Sequence, residues 1–117
     1  MADLLADGYL FSLTFLEPPG VRFVVGQAGG RLTGTYWERG SDEHWIGRGV
    51  GRARVAAGTV IEAALPLSDL RVRSGAALSF FLAVFDRDQT EVERHPDNRA
   101  VMLTVPDERF EARNWTA

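Results

Sequence analysis

The chain reads as an all-β domain, a two-layer antiparallel β-sandwich of jelly-roll or immunoglobulin-like kind. Three observations predict it. Apolar residues alternate with polar ones in short runs, the period of a strand with one buried face. Gly- and Pro-rich turns punctuate those runs at short spacing, as in sandwiches. No stretch carries a sustained helical period. A closed barrel is the alternative layer solution.

The rest of the chain is organised around residues 59–88, TVIEAALPLSDLRVRSGAALSFFLAVFDRD. Ile61, Ala63 and Leu65 share one face of a strand and Val60, Glu62 and Ala64 the other. Glu62 is expected to face water or to oppose Arg52 or Arg54, because an unpaired buried carboxylate is costly. Pro66 lacks an N–H and suits the end of a ladder. Ser68 and Asp69 offer capping oxygens to one turn of helix, which Leu67 and Leu70 would pin to a core. Ser74-Gly75 turns the chain back. From Leu78 to Phe85 both faces are apolar, the mark of a central strand covered above and below. Asp86-Arg87-Asp88 returns the chain to water.

The other elements follow in order. Tyr9 to Leu16 is a strand with Phe11, Leu13 and Phe15 on one side. Glu17-Pro18-Pro19-Gly20 is a turn. Val21 to Val25 is a strand with Val21, Phe23 and Val25 inward, and Arg31 to Trp37 is the next. Residues 38–51, ERGSDEHWIGRGVG, form a long loop holding a short edge strand. Arg52 to Ala56 leads into the organising stretch. Thr90 to Arg94 is a hairpin partner, His95-Pro96-Asp97-Asn98 a turn, and Val101 to Val105 a last core strand. Glu108 to Thr116 closes the chain as a final strand anchored by Phe110 and Trp115.

A chain of 117 residues is one domain of ordinary size. It has no cysteine, which excludes disulfides and thiolate metal sites and points towards the cytoplasm. The formal charge of −3 is mild, lysine is absent, and the arginines are scattered among acids. That distribution argues against a nucleic-acid partner. No apolar run is long enough to span a bilayer, and the N-terminus lacks the basic region of a signal peptide. The start reads as a boundary within a longer protein.

Catalytic constellations are not legible. There is no GxSxG elbow, no HxH or HExxH pair, and His44 and His95 lie far apart. No metal or other cofactor is required. Asp86, Asp88, Glu91 and Glu93 could offer oxygens to calcium, but without EF-hand spacing or a glycine at the bend. The competing reading is a solvated hairpin loop neutralised by Arg87 and Arg94. Aromatics carry more information. Tyr36, Trp37 and Trp45 flank the irregular loop, which also holds Asp42, Glu43, His44 and Arg48. Indole faces stack on the C–H faces of sugars while polar neighbours bind hydroxyls. Adjacent strand residues face opposite ways, so either Tyr36 or Trp37 must point inward. Trp45 is the tryptophan expected to be exposed.

The run VIEAALPLSDLRVRSGAALSFFLAVFDRD resembles the E-x-A-x-P-L-S-x-L … G-x-x-L-x-F core of DOMON-like and family-9 carbohydrate-binding β-sandwiches. The continuation EVERHPDNRAVMLTVPDERFEARNWTA resembles the C-terminal β-domain of family-57 glycoside hydrolases. There a G-x-E-x-E-R-x-P hairpin leads to a V-P-x-x-x-F-E-x-x-x-W ending. The matching positions are Glu91, Glu93, Arg94 and Pro96, then Val105, Pro106, Phe110, Glu111 and Trp115. The resemblance covers the second half of the chain and implies a non-catalytic accessory domain, with the catalytic acids on an upstream barrel. The expected partners are an α-glucan, met through Trp37 and Trp45 with Tyr36, Glu43 and His44 nearby, or an adjoining catalytic domain. A packing domain that forms a homodimer is the alternative.

Overall fold

The computed structural model describes residues 2–97 and 99–105 and shows an all-β protein. The architecture is two antiparallel layers of unequal size. A seven-stranded sheet runs in the order β4-β3-β2-β1-β7-β8, with β9 also paired to β7. Its strands are β1 (Leu10–Glu17), β2 (Val21–Ala28), β3 (Arg31–Arg39), β4 (Trp45–Gly49), β7 (Ala77–Phe85), β8 (Glu91–His95) and β9 (Val101–Thr104). The hairpin of β5 (Arg54–Ala57) and β6 (Ile61–Ala64) forms the second sheet.

The first strands form a meander, each pairing with its predecessor through a short turn. The chain then crosses to the second layer and returns as β7 beside β1. There Phe11 opposes Val84, Leu13 opposes Leu82 and Phe15 opposes Phe80. The outer edge of β7 is shared. Its first half pairs with β9 and its second half with β8. β7 is therefore central within the sheet, as its composition demands.

Alternation sets the two faces. Phe11, Phe15, Phe23, Val25, Tyr36, Leu78 and Val84 face inward and are buried. They meet Leu5, Leu70 and Val105, with Val55, Ala57, Ile61, Leu65 and Leu67 closing over them from the second layer. Phe23, with no exposed surface, sits at the centre of this core and packs on Tyr36 with ring centroids 4.9 Å apart. Gly34 is small for a reason. A Cβ there would lie 2.5 Å from Phe23 Cζ and 2.9 Å from Val55 Cγ1, so glycine sets the approach of the hairpin to the sheet.

The turn read at Ser68-Asp69-Leu70 is a 3-10 turn, Leu67–Leu70, with Leu70 buried. No side chain caps it. The Asp69 carboxylate instead accepts hydrogen bonds from Tyr36 Oη at 2.9 Å and from the Arg52 amide at 2.8 Å. One carboxylate thus ties the 3-10 turn to both β3 and the segment entering β5.

One element is added and one expectation needs correcting. A short helix, α1 (Ala2–Ala6), precedes the first strand, held by buried Leu5 and ended at Gly8 with φ +90°. β9 is not a core strand, since it leaves Met102 75% and Leu103 52% exposed and, among the described residues, pairs with β7 alone. On β7 the face opposite the core cluster is also shielded: Ser79 and Ala83 are 7% and 0% exposed and Phe81 and Phe85 half-buried, although among the described residues no second layer covers it. Glu62 opposes Ala56 and faces water. The strand expected over Glu108 to Thr116 lies outside the described residues.

Candidate functional site

The outer face of the large sheet is built in rows across the strands. Phe81, Thr14, Arg22, Trp37 and Gly47 form one row by successive pairing. Ala83, Ser12, Val24 and Thr35 form the next. Phe85 and Leu10 belong to the third, beside Gly26. The middle row is short-chained and the rows flanking it are bulky. A trough follows, of about 350 Å3, lined by Leu10, Ser12, Arg22, Val24, Trp37, Phe85 and Gln89. That lies within the roughly 300–1,000 Å3 of small-molecule sites. Gly26 keeps Leu10 in place, since a Cβ there would lie 2.5 Å from Leu10 Cδ2.

Trp37 stands at the Arg22 wall of the trough, and Trp45 follows on the same face, where it opposes Arg39. Gly47, opposite Trp37, leaves the indole uncovered by a side chain from β4. Trp45 is not a bare platform. The Arg22 guanidinium carbon lies 4.3 Å from the centroid of its ring and that of Arg39 lies 5.6 Å away. The indole face attracts both cations. Ser12, on the floor, bonds only weakly to the Thr14 hydroxyl at 3.3 Å.

Arg22 is the unusual residue. It is half-buried in a strand of apolar neighbours, and its Nε is buried with no hydrogen-bond partner. Burial lowers its pKa from the ordinary arginine value. No ion pair with a described residue involves Arg22 or Arg39. Glu38, on the inner side, pairs with Arg48 and Arg71, and Glu91 pairs with Arg94 at 2.8 Å.

The other residues singled out from the sequence are distributed as follows. Tyr36 is on the inner face, 6% exposed and bonded to Asp69, so it cannot belong to a platform with Trp37. Burial first, then the hydrogen bond and charge of Asp69, push its pKa upward. Glu43 and His44 lie in the exposed β3–β4 turn. Glu43 adopts a left-handed φ of 66°, with its amide donating to the Gly40 carbonyl at 3.0 Å. His44 pairs with Asp42 at 3.1 Å. The His44 amide also donates to Asp42, the main reason the Asp42 pKa is lowered. Neither Glu43 nor His44 lines the trough.

Asp86 is a turn cap, its Oδ1 accepting the amides of Asp88 at 2.9 Å and Thr90 at 3.0 Å. With Glu91 held by Arg94, the described residues bring no group of three potential metal ligands together. Arg94 also lies 4.2 Å over the Phe81 ring. Sequence reasoning passed over Arg22, Ser12 and Gln89. The signal for Arg22 was present: an arginine at an outward position of VRFVVG, in register with Trp37.

Among the described residues no helix is long and apolar enough to cross a membrane. No protein-family model matches this chain, and neither a curated protein nor a solved structure matches it.

Proposed function

We propose that this domain is a non-catalytic binding module that takes carbohydrate on the outer face of its large sheet, as an accessory to an α-glucan-active glycoside hydrolase. The observation that carries the reading is the trough: an indole at Trp37, a floor of Ser12 and Val24, and polar groups at Arg22 and Gln89. A sugar ring needs that combination of an apolar flank and hydroxyl partners. The kinship to family-57 accessory domains rests on the residue pattern from Glu91 onward and supplies the α-glucan. The lack of catalytic chemistry is part of the same proposal. His44 and His95 are each engaged by a neighbouring carboxylate, Asp42 and Glu93, rather than by a nucleophile. A chain without cysteine suits a reducing compartment, and we place the module in the cytoplasm.

The test is a titration with maltotriose and longer maltooligosaccharides, following tryptophan fluorescence. The response is expected to saturate and to be lost in Trp37→Ala. An unchanged response in Trp37→Ala, or none in the native protein, rejects the reading.

A second reading, a packing or self-associating domain, draws on the β8/β9 edge. Val92, Met102 and Leu103 are each more than half exposed there, on strands that pair on one side only among the described residues. It predicts concentration-dependent dimerisation on a sizing column that Met102→Glu abolishes.

A further inference from the structure

We propose that the ligand of the outer-face trough carries a carboxylate, and that Arg22 receives it. This rests on the carbohydrate reading of the trough: neutral glucan binds there, and an acidic sugar of the uronate class binds the same site more tightly.

The inference comes from unmet hydrogen-bonding and charge. A guanidinium removed from water costs free energy unless a partner replaces the lost hydration. Arg22 is half-buried at the wall of the trough, its Nε has no partner, and no described carboxylate pairs with it. Arg39 adds a second guanidinium against the same indole, also without a described acidic partner. Two cations therefore gather on one face of a molecule whose net charge is −3. The Arg22 guanidinium carbon lies over the Trp45 ring at 4.3 Å, and a planar guanidinium presents its hydrogen-bond donors along the edge of the fork. A planar carboxylate matches that edge with two parallel N–H···O bonds. The rest of the trough accommodates a ring. Trp37 and Leu10 offer apolar flanks, and Ser12 and Gln89 offer hydroxyl and amide partners.

The experiment compares glucuronate with glucose, and trigalacturonate with maltotriose, by calorimetry and tryptophan fluorescence. Benzoate serves as a carboxylate that is not a sugar. The native protein is expected to bind each uronate roughly tenfold to a hundredfold more tightly than its neutral counterpart, the ratio that hydrogen bonds to a charged group supply. Uronate affinity should fall as salt rises while neutral-sugar affinity does not. Arg22→Gln should collapse the preference, and Arg22→Lys should restore only part of it because a point charge lacks the fork. Circular dichroism of each variant checks the fold, and the salt series on the native protein needs no variant. Equal, salt-independent affinity for uronate and neutral sugar overturns the carboxylate inference and leaves the carbohydrate reading standing. Binding of benzoate with no response to any sugar upholds the carboxylate site and overturns the carbohydrate reading. Silence towards all the probes overturns both.

Discussion

The Asp69 carboxylate fastens the second layer to the sheet, and removing it should loosen the whole domain. Its Oδ2 accepts two hydrogen bonds, from Tyr36 Oη on β3 and from the Arg52 amide before β5. A hydrogen bond to a charged group contributes about 1.5–3 kcal/mol. Tyr36→Phe removes one of them and keeps the ring against Phe23, so its cost should be at the low end, about 1–2 kcal/mol. Asp69→Ala removes both and leaves a buried phenol without its partner, at about 2–4 kcal/mol. In the double variant the orphaned hydroxyl is gone as well. Its loss should therefore fall short of the sum, a coupling of about 1 kcal/mol in a double-mutant cycle. Urea unfolding measures this as a shift in midpoint at constant slope. The tether also has an alkaline signature. The Tyr36 pKa is raised in the folded state, by burial and then by Asp69. Its contribution is fully present below the unfolded-state pKa of about 10 and is lost as pH rises beyond it. Tyr36→Phe should remove that part of the alkaline loss of stability. If Tyr36→Phe is neutral in urea and the two changes add, the tether carries no energy and the layers are held by apolar packing alone.

Two further outcomes are expected. Gly34→Ala puts a methyl 2.5 Å from the Phe23 ring and 2.9 Å from Val55. Phe23 is fully enclosed and cannot yield, so the variant should lose about 1–3 kcal/mol or more, seen as a fall in Tm of roughly 4–8 °C per kcal/mol. Arg48→Ala breaks the ion pair with Glu38 at 3.1 Å, but that pair is solvent-exposed enough to be worth only about 0–1 kcal/mol, and its thermal melt should nearly overlay the native one.

Strand periodicity carried most of the fold. Runs such as FSLTFL and VRFVV place Phe11 and Phe15, and Phe23 and Val25, on one side, and the structure buries them. The adjacency of Tyr36 and Trp37 forced one of them inward, though not which. The partner that satisfies the inward phenol, Asp69, is distant in sequence, so the choice was not legible locally. FFLAVF is apolar on both faces, and both are shielded, one in the core cluster and the other with Ala83 buried outside it. The apolar outer residues border the trough at Phe85 and receive Arg94 at Phe81. α1 was missed because five residues are too few to show a period, and its place depends on burying a single leucine. The trough needs registers from four strands to be seen, since no two of its walls are neighbours in sequence. Glu43 and His44 were drawn in by proximity to Trp45 along the chain, whereas the turn carries them away from the lining residues.

The most direct test is a residue-by-residue map of ligand contact. Amide and indole chemical shifts would be followed by nuclear magnetic resonance as maltotriose, then glucuronate, is titrated into the native protein. The account predicts perturbations concentrated at Ser12, Arg22, Val24, Gln89 and the Trp37 indole, with the Tyr36–Asp69 side of the sheet unmoved. Shifts confined to β9 or to the β3–β4 turn, or a spectrum that neither ligand alters, would contradict it.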